Sequence, residues 1–202
     1  MEKVLIVIDM QNDFVTGSLG TPEAQAIVPK VVEKVNECID DGYDIFFTQD
    51  THLDDPDDED NYLDSLEGKY LPVKHCINIT EGWQIIDELE SLATIDKRIV
   101  KTTFGNDDWE YNIYNLIMRQ EDYEARSYFS AGNIRRRDKN IQFELIGLCT
   151  DICVISNALI LRAKFPNSEI IVHADCCAGT TPEKHKAALE VMKSCQIIVE
   201  GE

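Results

Sequence analysis

The chain has 202 residues, 44% of them hydrophobic and 28% charged, which is typical of a globular protein with a substantial core. Its formal net charge of −19 argues against nucleic acid and against an anionic membrane surface as partners, because both require clustered lysines and arginines. The apolar runs are all shorter than the roughly 18–20 residues that a membrane span needs, which argues against a membrane protein.

Short apolar runs alternate with stretches of helical spacing. Continuous apolar runs are typical of strands buried on both faces of a parallel sheet. In chain order we predict a strand at 4–8, a helix at about 23–41, a strand at 43–47, a helix at 82–92, a strand at 99–100, a helix at 107–120, a strand at 143–148, a helix at 151–164, a strand at 169–174, a helix at 182–194 and a strand at 196–199. Thr21-Pro22 and Thr181-Pro182 are helix-start signals, with threonine as the cap and proline in the first helical position.

This alternation predicts an α/β fold. We expect one domain over 1–202, built on a doubly wound, mostly parallel sheet of about six strands with helices on both faces. The opening MEKVLIVID is too short for a secretion signal and is predicted to be the first strand. Seven cysteines, an odd number scattered through hydrophobic stretches, make a poor disulfide framework, so we expect reduced thiols and a cytoplasmic protein.

Three charged or featureless stretches are interpreted as surface. The segment 121–140 shows no clear element and is expected to be a surface excursion. The basic run 135–137 is interpreted as a solvated loop rather than a binding patch. The acidic run DDPDDED at 54–60 lacks the glycine and terminal glutamate of an EF-hand loop, so a solvated loop is favoured over a calcium site.

Reactive side chains follow nearly every predicted strand. An open parallel sheet binds its ligand at the carboxyl ends of its strands, near the point where strand order reverses. With the strand order 3-2-1-4-5, strands 1 and 4 are neighbours at that point, so we expect an acid, a lysine and the cysteines to share one crevice. In chain order the residues are Asp9, Asp50, His52, Lys101, Cys149, Cys153, His173 and Asp175.

The stretch GLCTDICV, 147–154, places two cysteines four positions apart at a strand-to-helix turn. Cys153 is predicted in the first helical turn, where the helix dipole and Lys101 favour its thiolate, and this favours Cys153 as the nucleophile. Cys149 would line the site, and its backbone N–H could hold an oxyanion. Two buried small hydrophobes, a metal pair or a redox pair remain alternatives, the last disfavoured by the C-x-x-x-C spacing.

A second group of residues suits a metal. Asp50 and His52 follow one strand, and the more distant His75 would complete a set of two histidines and one carboxylate with open positions. Such a set predicts a divalent metal that assists a reaction, and it accepts zinc, iron or manganese. Ordinary polar loop residues are the alternative interpretation.

Several motifs in order resemble the isochorismatase-like cysteine hydrolases, and within them the nicotinamidase-related amidohydrolases. The motifs are VIDMQNDF, TQDTH, LPVKHC, VKTTFG, GLCTDICV, DCCAG and TPEKHKAALEVM, which together span nearly the whole chain. The resemblance implies a catalytic triad of Asp9, Lys101 and Cys153. It also implies a metal, usually zinc, on Asp50, His52 and His75, where it positions the substrate.

The same resemblance implies the reaction and the oxyanion site. The expected activity is hydrolysis of nicotinamide or a similar small amide to the acid and ammonia, through a thioester on Cys153, in an enzyme that is a homo-oligomer. The family also has a non-proline cis peptide, here Leu148–Cys149, that aims the backbone N–H groups of Cys149 and Cys153 at the oxyanion. Hydrolysis of a ureido or N-carbamoyl compound and a non-catalytic family member are the alternatives.

Two departures from the family pattern concern the substrate. Cys149 stands where the family usually has alanine, and Thr51 stands where nicotinamidases usually have tryptophan. Aromatic residues near the motifs are candidates for the pocket wall, with core packing as the alternative for each. They are Phe14, Tyr70, Phe104 and Trp109.

Overall fold

Six parallel strands form one sheet. The structure is a computed structural model that describes residues 2–120 and 141–202. The strands are β1 (Glu2–Ile8), β2 (Asp44–Asp50), β3 (Arg98–Lys101), β4 (Ile141–Leu148), β5 (Glu169–Ala178) and β6 (Ile198–Glu200). They pair in the order β3-β2-β1-β4-β5-β6, and every pair is parallel. The predicted doubly wound order, with strands 1 and 4 adjacent, is confirmed.

The helices lie on both faces of this sheet. They are α1 (Asn12–Val15), α2 (Pro22–Asp40), α3 (Leu66–Tyr70), α4 (Asp87–Glu90), α5 (Trp109–Gln120), α6 (Ile155–Lys164) and α7 (Pro182–Ser194). A 3₁₀ turn at Tyr62–Asp64 precedes α3, and a π-helical turn at Thr150–Val154 leads into α6. Thr21 and Thr181 cap α2 and α7, each accepting a backbone N–H three residues on, as predicted.

Two hydrophobic cores separate the layers. Val31 and Val35 of α2 and Leu89 of α4 pack with residues on one face of the sheet. On the other face, Ile113 of α5 and Leu161 of α6 pack with Met192 of α7. The central strands are therefore buried on both sides, which explains why they are continuous apolar runs rather than alternating ones.

The predicted helix at 82–92 is wrong in extent, because only α4 is helical there. Residues 84–86 pair instead with the loop after β1: Gln84 O accepts the Asn12 N–H, and Ile86 N donates to Met10 O. These backbone pairs hold residues 84–86 beside the loop that follows β1, at the carboxyl end of the sheet. Strand β5 also runs further than predicted, to Ala178, since it continues to pair with β4 beyond a register shift.

The acidic run and the cysteines have the surroundings that the sequence predicts. All residues of the run 54–60 are exposed, as expected of a solvated acidic loop. All seven cysteines are free. Within the described residues, the structure contains no helix that is both long and apolar enough to cross a membrane. The predictions for 121–140 and its basic run 135–137 lie outside the described residues.

Candidate active site

Three strands deliver an acid, an ammonium group and a thiol to one point. Asp9 directly follows β1, Lys101 ends β3 and Cys153 lies in the turn after β4. Lys101 Nζ is 2.7 Å from Asp9 Oδ2 and 3.7 Å from Cys153 Sγ. All three residues are buried. They share the crevice that the strand order predicts, because the carboxyl ends of parallel strands lie at one edge of the sheet.

The backbone and a threonine orient Asp9. Its φ of 47° lies in the left-handed region, which aspartate tolerates better than most residues. Thr48 Oγ1 accepts the Asp9 N–H at 3.1 Å and donates to Asp9 Oδ1 at 2.7 Å. The other carboxylate oxygen, Oδ2, is thereby left facing Lys101 and the thiol.

Burial sets the protonation of the acid and the thiol. Desolvation raises the pKa of Asp9, and the Lys101 ammonium only partly opposes that rise. Burial likewise raises the pKa of Cys153 well above its ordinary value, and the neighbouring Asp9 charge raises it further. The Lys101 ammonium lowers the pKa of Cys153, as expected from the sequence, but burial and Asp9 outweigh this effect. The resting site holds a thiol beside a carboxylate that can accept its proton.

The turn that carries Cys153 is anchored to the start of α7. The Leu148–Cys149 peptide that precedes it is cis, as the family resemblance implies. Thr150 Oγ1 lies 2.8 Å from His185 Nδ1, and Asp151 accepts hydrogen bonds from both the N–H and the hydroxyl of Thr180 at 2.7 and 2.6 Å. The turn is π-helical rather than a regular first helical turn, and Val154 N donates to Cys149 O at 3.1 Å.

A second cluster of ligand-type side chains lies next to this group. One ligand atom from each of Asp50, His52, Glu67 and His75 lies within 4.8 Å of all the others. His75 Nδ1 is 2.9 Å from the Val73 carbonyl oxygen, which leaves Nε2 facing the cluster, 3.6 Å from Glu67. Two imidazoles and two carboxylates converging on one buried point fit a divalent zinc, iron or manganese ion.

Glu67 is the member of this cluster that sequence reasoning missed. It lies on the short helix α3, whose start is capped by Ser65 accepting the Gly68 N–H at 2.9 Å. In sequence it is one more acidic residue in a strongly acidic stretch, with no spacing that relates it to the histidines. Only the fold of 53–76 around the end of β2 brings it to them.

Asp50 links the cluster to the lysine. Its Oδ1 is 3.2 Å from Lys101 Nζ, and its Oδ2 is 2.9 Å from His52 Nε2. Burial opposes ionisation of Asp50, but His52 and Lys101 together hold its pKa below the usual range. The thiol group and the metal-type cluster are thus one connected set of charges.

A cavity of about 260 Å³ opens onto both groups. Cys153 and Cys149 line one part of it, and Asp50, Glu67 and His75 line another. Its walls are otherwise largely apolar. Further lining residues include Phe14, Leu19, Leu71, Phe104, Leu148 and Ile152.

The four predicted wall residues divide into two pairs. Phe14 and Phe104 line the cavity. Tyr70 does not: it is 85% exposed at the end of α3, pointing to solvent. Trp109 is a core residue with no exposed surface, and its Nε1 donates to Asn157 Oδ1 at 2.9 Å. Its interpretation as a pocket wall is wrong because α5 turns the indole under the sheet rather than toward the cavity.

His173 and Asp175 also lie outside the site. Both belong to β5, which continues past them, so they do not reach the carboxyl edge. His173 Nε2 is 2.6 Å from Glu144, a buried carboxylate that also accepts hydrogen bonds from Tyr43 at 2.7 Å and pairs with Lys34 at 2.7 Å. Burial opposes the ionisation of Glu144, but these partners lower its pKa to about 2.

Comparison with known proteins agrees with this geometry. The family profile of the isochorismatase domain matches residues 3–108 and 132–201. An isochorismatase family protein from Bacillus subtilis, PncA, is 30% identical over 193 residues, which cover 94% of this chain and 93% of that protein.

Three solved structures share the fold. A structure of nicotinamidase PncA from Bacillus subtilis superposes with a TM-score of 0.71 at 27% identity, covering 99% of this chain and 100% of that one. A pyrazinamidase from Pyrococcus horikoshii in complex with zinc gives 0.68 at 26% identity over 98% of each chain. An N-carbamoylsarcosine amidase from Thermoplasma acidophilum gives 0.66 at 25%, covering 99% and 96%. The profile match over most of the chain, together with this fold, shows that the protein belongs to the isochorismatase family.

Proposed function

We propose that the protein is a metal-assisted cysteine amidohydrolase that converts nicotinamide, or a similar small heteroaryl amide, to the acid and ammonia. One observation carries the proposal: a single cavity is lined both by the Cys153 thiol and by Asp50, Glu67 and His75, three of the four metal-type ligands. The nicotinamidase and pyrazinamidase structures with the same fold support the substrate class.

The chemistry starts with the thiol. Asp9 takes the thiol proton as Cys153 Sγ attacks the amide carbon, and the carbonyl electrons move to oxygen. We assign the backbone N–H groups of Cys149 and Cys153 to that oxyanion. Asp9 then returns the proton to the amide nitrogen, and the C–N bond breaks to release ammonia and leave a thioester. A water molecule, deprotonated by Asp9, attacks the thioester and releases the carboxylic acid and the thiol.

Lys101 stabilises charge on both sides of the proton transfer. As the proton moves, negative charge passes from the Asp9 carboxylate to the sulfur. The ammonium lies 2.7 Å from the first and 3.7 Å from the second, so the charge remains beside a cation throughout. This explains how a thiol with a raised pKa can still act as the nucleophile.

The metal cluster is assigned to substrate positioning. Asp50, His52, Glu67 and His75 would hold the ion, and zinc is our first choice, with iron and manganese as alternatives. When bound, the metal supplies a Lewis acid that orients the ring nitrogen of a heteroaryl amide. The apolar walls Phe14 and Phe104 suit the faces of a planar ring.

The charge of the cavity favours a neutral amide over an N-carbamoyl acid. Among the described residues that line the cavity there is no lysine or arginine, whereas Asp50 and Glu67 are acidic. A substrate carboxylate would therefore have no lysine or arginine on the cavity wall to pair with, and the proposed metal ion would be its only cationic partner among the described lining residues and their ligand. An N-carbamoyl compound, as in the Thermoplasma enzyme, remains the second candidate because the fold and the nucleophile serve either reaction.

Ammonia release from nicotinamide tests the proposal. We expect the metal-loaded protein to release ammonia and nicotinic acid in equal amounts. Cys153→Ala should lose this activity. Cys195→Ala should keep it, because the Cys195 thiol lies outside the cavity. Chelation should reduce turnover, and zinc, iron and manganese should be compared for its recovery. Faster turnover of N-carbamoylsarcosine, or activity that survives Cys153→Ala, would contradict the proposal.

Three broader expectations accompany it. We propose a cytoplasmic enzyme, in keeping with seven free cysteines, and a homo-oligomer built from single-domain chains. Light scattering after size-exclusion chromatography measures the oligomeric state, and a monomer at micromolar concentration would contradict that part.

A further inference from the structure

Asn157 is a buried amide whose hydrogen-bonding groups are all used. It lies in the first turn of α6, with no exposed surface. Its Nδ2 donates to Cys153 O at 2.8 Å and to Phe104 O at 3.3 Å. Its Oδ1 accepts the Asn106 N–H at 2.9 Å and the Trp109 Nε1–H at 2.9 Å. Two donors and two acceptor positions are the full capacity of an asparagine side chain.

These four bonds join two separate parts of the site. Cys153 is in the turn after β4, whereas Phe104, Asn106 and Trp109 belong to the segment that follows Lys101 at the end of β3. Both carbonyl contacts are made by the same planar NH₂ group. The position of the nucleophile is therefore tied to the position of a cavity wall by one rigid side chain.

We propose that Asn157 is a positioning residue that fixes Cys153 relative to Phe104 and the rest of segment 104–109. This inference rests on the proposed cysteine chemistry. Asn157 does not line the cavity, and its amide bonds to backbone carbonyls, so it acts through the Cys153 carbonyl on the nucleophile and through the Phe104 carbonyl on the wall. The two contacts predict separable effects, the first on turnover and the second on substrate binding.

An isosteric pair of variants separates these effects. In Asn157→Thr the hydroxyl can still donate to the carbonyl four residues earlier, that of Cys153, but the contacts to the Phe104 segment are lost. Asn157→Val has the same shape and no donor. We expect kcat within about threefold of wild type for Asn157→Thr and about tenfold lower for Asn157→Val, since one hydrogen bond to the nucleophile's backbone is lost. KM should rise several-fold in both.

A matched control excludes a general effect of losing a helix amide. Asn36 on α2 makes the same kind of bond, Nδ2 to the Val32 carbonyl at 2.9 Å, but it is exposed and does not line the cavity. Asn36→Val should leave kcat and KM unchanged. Equal kcat for the Thr and Val variants of Asn157, or an equal drop in Asn36→Val, would overturn the positioning role.

A measurement without substrate separates this inference from the proposed function. The rate of Cys153 alkylation by iodoacetamide, resolved from the other cysteines by mass spectrometry, should change at least threefold in Asn157→Val and stay near wild type in Asn157→Thr. If wild type shows no amidase activity but this contrast holds, the proposed function fails and the positioning role stands. If wild type is active but the alkylation rates are equal, the positioning role fails alone. Should Asn157→Val not fold by circular dichroism, Asn157→Ser and Asn157→Ala provide the same contrast.

Discussion

Replacing Lys101 by methionine removes the only described cation that contacts Asp9. The Lys101 side chain is 2% exposed, with Nζ 2.7 Å from Asp9 Oδ2 and 3.2 Å from Asp50 Oδ1. One pair of unit charges at 2.7 Å is worth about 6 kcal/mol at an effective dielectric constant of about 20, before the cost of desolvation. Because Lys101→Met leaves buried carboxylates without their cation, we expect the free energy of unfolding to fall by about 3–5 kcal/mol near pH 8.

The loss should depend on pH with a definite sign. Without the lysine, burial raises the pKa of Asp9 further, so that this carboxyl group takes up a proton more readily in the folded state. A group whose folded pKa exceeds its unfolded pKa stabilises the fold below the unfolded pKa, and that contribution is lost as the pH rises through the folded pKa. Destabilisation by Lys101→Met should therefore be smaller near pH 5.5 than near pH 8.

Urea unfolding at both pH values, with a chelator present so that metal binding does not contribute, measures this difference. Lys30→Met is the matched control: Lys30 pairs with Asp175 at 3.2 Å, but the two side chains are 54% and 39% exposed. An exposed pair contributes at most about 1 kcal/mol. If Lys101→Met cost no more than Lys30→Met near pH 8, or cost the same at both pH values, the reasoning about buried charge would be refuted.

Three further predictions concern a buried acid, a glycine and the proposed base. Because the pKa of Glu144 is lowered to about 2, its ionised form stabilises the fold by about 3 kcal/mol above pH 4.5, and this stabilisation is lost as the pH falls toward 2. In urea unfolding, Glu144→Gln should lack this pH dependence. In the same assay, Gly147→Ala should lower the free energy of unfolding by more than about 3 kcal/mol, because the new Cβ would collide with the Ile8 carbonyl oxygen. Gly42 is also at positive φ but has open space around it, so Gly42→Ala should lower the free energy of unfolding by about 1–2 kcal/mol. Equal losses would contradict the predicted collision. Because burial raises the pKa of Asp9, the acid-side fall of kcat/KM for nicotinamide should come at a pH above the ordinary aspartate pKa of about 3.9. Asp9→Asn should lower kcat/KM by a factor of about 10³. A value of kcat/KM that stays flat down to pH 4 would exclude Asp9 as the base.

The sequence predicts the sheet and the thiol group well because local pattern and topology agree there. Uninterrupted apolar runs indicate strands buried on both faces, and parallel strands place their following residues at one edge. Asp9 directly follows such a strand, Lys101 ends one and Cys153 lies in the turn after one, so their convergence needs only the strand order. The cis peptide before Cys149 was accessible only through the family resemblance.

The errors arise where the chain's path is decided by contacts distant in sequence. Segment 82–92 contains enough helix formers to suggest a helix, but backbone pairing with the loop after β1 keeps residues 84–86 out of a helix. Trp109 is near a motif in sequence, yet the direction of α5 places it in the core. The effect of Lys101 on the pKa of Cys153 can be inferred from sequence, whereas the larger effect of complete burial beside a carboxylate cannot.

The α/β architecture can be predicted from sequence alone, because it follows from the periodicity of the apolar runs. The residues at the strand ends, Asp9, Lys101 and Cys153, and the metal-type set Asp50, His52 and His75 can also be predicted, because they lie in short local motifs. Only the tertiary structure decided that Glu67 joins that set, that the cavity connects it to the thiol, and that Asn157 links Cys153 to Phe104. The physical reason is that burial, hydrogen bonding and charge proximity between distant segments are properties of the packed chain, and no local pattern of residues encodes them.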